Sequence, residues 1–274
     1  MLGFYDSHVH TCHSPDSEQP FWELCETALQ KGLRGIAITD HAEIWLLGDY
    51  NIYESMGASI ADAKAADAHY GDRMRVFCGV ELAEMLDDPE TASRVLSMTN
   101  YDVVIGSIHS VFLEDWQTFY SAIDFSEASE EKLQRFMGDY FKKVLHMAEK
   151  ADFDILAHLT CPLRYINGKY HRNLSVDSHQ ELIFEILRTV ICREKALEVN
   201  TSGLHSFYGD LLPGRELLGQ YYALGGRLIT LGGDAHTAPQ VASGFDETAS
   251  LLKEIGFQGY YYYDQRKPCW VSWD

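Results

Sequence analysis

Residues 2–10 read LGFYDSHVH, a short apolar run that ends in two histidines, His8 and His10. The same form recurs along the chain. GIAITDH ends in His41, VFCGVE in Glu81, VVIGSIH in His109, and FDILAH in His158. ALEVN ends in Asn200, and LITLGGDAH in Asp234 and His236. Buried parallel strands read as continuous apolar runs of this kind. A barrel of parallel strands gathers its strand C-termini on one face. The runs therefore place imidazoles and carboxylates from distant parts of the chain on one patch, the signature of a polynuclear metal site.

Helical patterns fill the gaps between the runs. Residues 18–31 carry Phe21, Leu24, Cys25, Ala28 and Leu29 on one face. Residues 55–70 are alanine-rich and helix-prone, and Glu130–Lys150 is long and amphipathic. Ser178 and Glu181 read as a capping box that opens a helix through Cys192. Helices over 215–224 and 241–255 follow, with Gly256 suited to the last C-cap. Residues 260–263 form a short aromatic final strand. This alternation predicts an α/β fold with a parallel sheet. A TIM-like barrel fits it better than an open doubly wound sheet, which would spread the ligands along an edge. No composition shift, repeat or Gly/Ser-rich linker divides residues 1–274, so one domain is expected.

With 274 residues, 46% of them hydrophobic, the chain can bury a large core. Its formal net charge of −19 repels nucleic-acid backbones, so no long nucleic acid is expected as a partner. An anionic substrate must then meet a local positive centre, which a cluster of divalent cations would supply. The 6 cysteines form no CxxC pair. Cys25, Cys78 and Cys192 read as ordinary buried thiols, and a reducing cytoplasm is the expected location. No signal peptide is read, and no apolar stretch nears the ~20 residues that span a bilayer, so no membrane association is expected. Oligomeric state is open.

His8 and His10, two residues apart on an extended chain, point the same way and can grip one ion. Thr39-Asp40-His41 and Asp234-Ala235-His236 pair imidazole with carboxylate, a set that suits zinc, iron or manganese. Glu81, at a strand end, is placed to bridge two ions. Taken singly, each histidine is as much at home in the interior or on the surface. His69, His146 and His179 lie in helical patterns and read as surface residues. The absence of GxxxxGK[ST] and of a serine–histidine–acid set at the strand ends argues against kinase and acyl-hydrolase chemistry.

HVHTCHSPD, TDHAE, GVE, GSIH, the His158 strand end and GGDAH, in this order and spacing, resemble the PHP superfamily of phosphoesterases. EVNTSGL with GGRLITLGGDAH is similar to its histidinol-phosphatase branch. The resemblance implies a distorted (β/α)7 barrel with three divalent ions, Zn, Mn or Fe. It places His8, His10, Glu81 and Asp234 on one ion, and Glu81, His109 and His158 on a second. Asp16, His41 and His236 would hold the third. Some family members have His at the position of Asp16, and His13 is a nearby competitor for that role.

The implied reaction is hydrolysis of L-histidinol phosphate by a metal-activated hydroxide attacking phosphorus in line. Glu81, His109, His158 and Asp234 are its expected catalytic residues. A phosphate monoester also needs a cationic clamp, preferably a guanidinium. Candidates for substrate contact are Arg164, Lys169, Arg172, Asn200 and His205, with Arg172 in YHRNL the first choice. His205 stands where the branch commonly has arginine after NTSGL. Asp40, beside His41, is a candidate to fix an imidazole tautomer. The alternative substrates are a nucleotide, a short oligonucleotide or another small phosphate ester. A reading of another class keeps the barrel and metals for stability or partner binding alone.

Overall fold

A computed structural model of the chain describes residues 3–46, 51–113 and 116–273. Leu2, the first residue of the opening run, lies outside them. In chain order the elements begin with β1 (Tyr5–Val9), α1 (Phe21–Gln30), β2 (Gly35–Ile38), β3 (His41–Glu43) and α2 (Ile52–Tyr70). There follow β4 (Arg75–Ala83), α3 (Pro89–Leu96), β5 (Val103–Ser107), α4 (Glu130–Lys150), β6 (Ile155–Leu156) and α5 (Gln180–Cys192). The last are β7 (Ala196–Asn200), α6 (Arg215–Ala223), β8 (Ile229–Gly232), α7 (Phe245–Ile255), β9 (Gly259–Asp264) and β10 (Lys267–Ser272).

Parallel pairing runs β1-β2-β4-β5-β6-β7-β8. The ring closes beyond the C-terminal ends of β8 and β1, where Val9 bridges Ala235. There the Asp234 N–H donates to the His8 carbonyl at 2.7 Å, and the His10 N–H to the Ala235 carbonyl at 2.9 Å. At the opposite end β9 joins β8 through Thr230 and Tyr261, and the Tyr5 N–H donates to the Tyr260 hydroxyl at 2.9 Å. The fold is the distorted (β/α)7 barrel, with β10 added antiparallel to β9 as an outer strand. After a break at Thr39 and Asp40, β3 pairs the upper half of β4 and sets His41 opposite Glu81.

Alternation along the strands divides the interior by height. Phe77, Val103, Ile105, Ile155 and Ala196 form an apolar floor with Tyr263. Glu81 and Glu198 lie farther along the same strand faces, so the upper barrel is polar. The opposite strand faces join a larger core under the helices, including Val80, Val104, Leu156, Leu197 and Leu231.

Helix boundaries follow their caps. The Asn51 side chain accepts the Glu54 N–H and starts α2 ahead of the expected 55. Asp88 caps α3, a helix absent from the sequence reading, with Pro89 in its first turn. Ser129 caps α4 over the expected span, and Glu130 and Glu131 meet the positive end of its dipole. Gly244, at φ 80°, turns the chain left-handed and delays α7 to Phe245, short of the expected 241. Gly256 closes α7 as expected.

Some local expectations fail. Ser178 donates to Gln134 at 2.7 Å instead of capping α5, whose N-cap makes no side-chain bond. His179 is half-buried against Phe141, with ring centroids 5.8 Å apart, and not a surface residue. His69 and His146 are exposed. Cys25, Cys78 and Cys161 are buried free thiols, whereas Cys192 is exposed. Among the described residues no helix is long and apolar enough to cross a membrane.

Candidate metal centre

Glu81 stands wholly buried at the middle of the site, and imidazoles approach both of its oxygens. Its Oε2 lies 3.2 Å from His8 Nε2, 3.5 Å from His10 Nε2 and 2.9 Å from His41 Nδ1. Its Oε1 lies 3.2 Å from His109 Nε2 and 3.0 Å from His158 Nε2. Asp234 Oδ1 is 3.4 Å from His10 and 3.9 Å from His8. Toward the rim, Asp16 Oδ2 lies 3.1 Å from His236 Nε2 and 3.5 Å from His41 Nε2. All the proposed ligands are thus brought together. His13 is not among them; its Nε2 pairs with Asp62 at 2.8 Å.

Two glutamates that the sequence reading missed hold the imidazoles from behind. Glu198 accepts from His8 Nδ1 at 2.5 Å and from the His158 N–H at 2.6 Å. Glu43 lies 2.6 Å from His109 Nδ1 and 3.2 Å from His41 Nδ1. A carboxylate on the far nitrogen fixes the tautomer and leaves the near one bare for a metal. Gly232 makes room for this packing, since a Cβ there would fall 2.1 Å from Glu198 Oε1 and 2.9 Å from the His8 Cβ. Their signal in the sequence was a glutamate inside an otherwise apolar strand in ALEVN, and the glutamate of TDHAE.

Glu84 is a further buried carboxyl behind the site. It accepts the backbone N–H groups of His109 and Ser110 at 2.6 and 2.9 Å. Its own φ is 50°, in the left-handed region that a side chain other than glycine seldom adopts. Burial, then the neighbouring Glu43 charge, pushes its pKa up to about 7.

Electrostatics binds the cluster together. Burial disfavours a charged His8, but Glu198 and Glu81 outweigh it and hold its pKa well above the ordinary value. His41 and His109 are raised in the same way, by Glu81 with Asp16 and by Glu43 with Glu81. His10 goes the other way, lowered by burial and by the charges of His41 and His236. Burial opposes ionisation of Glu81 and Asp234, yet the surrounding imidazoles keep both well below the usual carboxylate range.

The donor set fits divalent ions. His10 Nε2, which faces both Glu81 and Asp234, is a buried nitrogen without a hydrogen bond, in a site where orphaned polar atoms are otherwise expensive. Three groups of side chains bring their ligand atoms within 4.8 Å of one another: His8, His10 and Glu81; His41, Glu81 and His109; His10, His41 and His236. Imidazole and carboxylate in this proportion suit zinc, manganese or iron.

Beside the cluster opens a cavity of about 800 Å³, lined by Asp16, Glu43, His109, Tyr120, His158, Arg164, Lys169, His205 and Asp234 among others. Arg164 occupies the start of a wide π-type turn, Arg164–Lys169. Its guanidinium donates to Ser202 at 2.7 Å, Asp234 at 3.2 Å and the Tyr165 hydroxyl at 3.0 Å. Arg172 is not at the site. Its guanidinium is consumed by the backbone carbonyls of Phe125, Ser126 and Ala128, which ties down the segment ahead of α4. Asn200 is fully buried and works behind the wall, bonding Glu198 at 3.2 Å and Ser202 at 2.6 Å. His205 and Lys169 reach the cavity.

Seven parallel strands delivering histidines and carboxylates to one buried glutamate define a metal-binding (β/α)7 barrel. The chain belongs to the PHP domain family, whose model matches residues 6–202. It is 26% identical over 260 residues to the histidinol-phosphatase of Lactococcus lactis subsp. lactis, covering 92% of this chain and 91% of that one. It is 27% identical over 262 residues to a Thermotoga maritima protein named "Probable histidinol-phosphatase", covering 92% and 93%. The fold superimposes with a TM-score of 0.79 on histidinol phosphate phosphatase of Lactococcus lactis, solved with zinc, L-histidinol and phosphate. That match has 23% identity and covers 97% of this chain and 99% of the other.

Proposed function

We propose that the chain is a metal-dependent phosphomonoesterase that releases inorganic phosphate from L-histidinol phosphate. One observation carries this reading: Arg164 places a guanidinium in the cavity against Asp234, a carboxylate that also faces His8 and His10. A planar cation beside a metal cluster is the arrangement a phosphate dianion needs. The relatives named histidinol-phosphatase, matched over most of both chains, support the substrate.

We assign three ion sites. His8, His10, Glu81 and Asp234 form the first, and Glu81, His109 and His158 the second. Asp16, His41 and His236 form the third. Divalent ions held there would supply Lewis acidity and a water that ionises near neutral pH. The chain's own groups do the rest. Arg164 binds the outer phosphate oxygens, and Tyr165 and Ser202 keep its fork from turning. Glu198 and Glu43 hold His8 and His109 in one tautomer. Tyr120 and Tyr165 narrow the wall and limit water around the phosphoryl group. Lys169 and His205 face the cavity, His205 at the position where the histidinol-phosphatase branch commonly has arginine.

The reacting unit is the single domain 1–274, acting in the cytoplasm on a small phosphorylated molecule. The cavity, at about 800 Å³, is roomier than a six-carbon amino alcohol requires. That favours a nucleotide or another small phosphate ester as the second reading. The test is phosphate release by protein loaded with Mn²⁺, Zn²⁺ or Fe²⁺, on L-histidinol phosphate and on mononucleotides, with Glu81→Ala as control. Turnover of histidinol phosphate that vanishes in the control is expected. Activity confined to other esters would leave the centre in place and remove the substrate assignment.

A further inference from the structure

Ser14 lies in the turn that follows β1, at the meeting of three polar groups. Its hydroxyl donates to Asp40 Oδ1 at 2.9 Å, accepts the His41 N–H at 3.0 Å, and lies 3.2 Å from His10 Nδ1. Asp40, in the break between β2 and β3, is fully buried and meets donors on every side. Besides Ser14 these are the Thr11 N–H at 2.6 Å, the Thr11 hydroxyl at 2.9 Å and the Ser59 hydroxyl, from α2, at 2.6 Å.

Counting hydrogens decides the arrangement. A serine oxygen has one hydrogen and two lone pairs. Asp40 takes the hydrogen, and the His41 N–H takes one lone pair. What remains can only receive a hydrogen from His10, so His10 carries its hydrogen on Nδ1 and its Nε2 is bare. That Nε2 is the buried nitrogen without a hydrogen bond, 3.4 Å from Asp234 and 3.5 Å from Glu81.

We infer that Ser14 and Asp40 are positioning residues that set the tautomer and orientation of His10 as a metal ligand. The inference rests on the reading of His10 as a ligand. His8 and His109 are oriented by carboxylates in direct contact, whereas His10 is reached by its carboxylate through a hydroxyl. Of the imidazoles that Asp40 was a candidate to fix, it thereby serves His10. Through Ser59 it also ties α2 to the centre.

Two measurements on the full chain test this. The first is zinc affinity by competition with a chromophoric chelator. Ser14→Ala is expected to weaken one zinc equivalent roughly 10–100-fold, and Ser14→Thr, which keeps the hydroxyl, to restore it. The second is the long-range ¹H–¹⁵N correlation of His10 in chelator-treated wild type, expected to show hydrogen on Nδ1. Hydrogen on Nε2 in that spectrum, or unchanged zinc affinity in Ser14→Ala, overturns the inference. A wild type that binds no zinc overturns the reading of the centre and the inference with it.

Discussion

Glu198 shows how much of the centre depends on residues that touch no metal. Both of its oxygens accept, one from His8 and the other from the His158 backbone. An amide cannot replace it, because one end of any glutamine there would turn an N–H toward another donor. Glu198→Gln is therefore expected to weaken metal binding roughly 10–100-fold by chelator competition. Retention of full affinity would show that His8 needs no such support. Glu84 is a case where pH decides the sign. A carboxyl raised from 4.5 to about 7 destabilises the fold as pH climbs through that window and adds nothing below it. In the metal-free protein, the Tm of Glu84→Gln relative to wild type is expected to rise between those values and then level off. A flat difference would mean that the buried carboxyl has found a counter-charge. The proposed ligands were legible as strand-end residues, visible where an apolar run stops, except Asp16, which lies in the loop after β1 and entered through the family resemblance. Glu43 and Glu198 were harder to read, because a glutamate inside an apolar run marks a buried carboxylate but a one-dimensional pattern does not show which imidazole it faces.

At the scale of elements, legibility followed local self-sufficiency. The helix Glu130–Lys150 carries its own cap at Ser129 and its own buried stripe, so its span could be read directly. Ser178 looked like a cap, but Gln134 on the neighbouring α4 competed for its hydroxyl, and only the packed structure brings the two together. β10 was missed because it is a hairpin's outer strand with mostly exposed side chains and no apolar run. The two arginines illustrate the same divide. Both lie past the end of β6, eight residues apart, yet one serves the cavity and the other the chain. Arg172→Ala is expected to lower stability by about 2 kcal/mol in thermal or denaturant unfolding, through its lost carbonyl contacts, and to leave KM unchanged. Arg164→Lys should do the reverse, lowering kcat/KM on the phosphate ester about 10²-fold with little change in Tm. If Arg172→Ala raised KM instead, the clamp would have to be reassigned.

Over the whole molecule, a net charge of −19 coexists with a centre built to gather cations. Without metal, the raised His8, His41 and His109 hold protons that pair with Glu81, Glu43 and Glu198. That stabilisation is complete below the ordinary imidazole value of 6.5 and fades as pH rises through the elevated values. Metal binding needs the same nitrogens bare and so strengthens with pH. The Tm gap between zinc-loaded and chelator-treated protein is thus expected to widen from about pH 6 to about pH 8.5. A gap that narrows would place the bound ion away from these imidazoles. Choosing a barrel over an open sheet was possible from sequence because only a ring lets ligands from every strand end meet. How the ring shuts was not, since it depends on main-chain bonds between His8, His10 and the Asp234–Ala235 pair.

That seam sets an order of assembly. Asp234 and His236 leave the ribosome more than 220 residues after His8 and His10. During synthesis the nascent chain offers any passing ion only fragments of a coordination shell. The full set exists only once the far end of the barrel has been made and docked against the first strand. An ion bound by the complete proposed set would therefore follow closure of the barrel, and would act as a clasp on a completed circle.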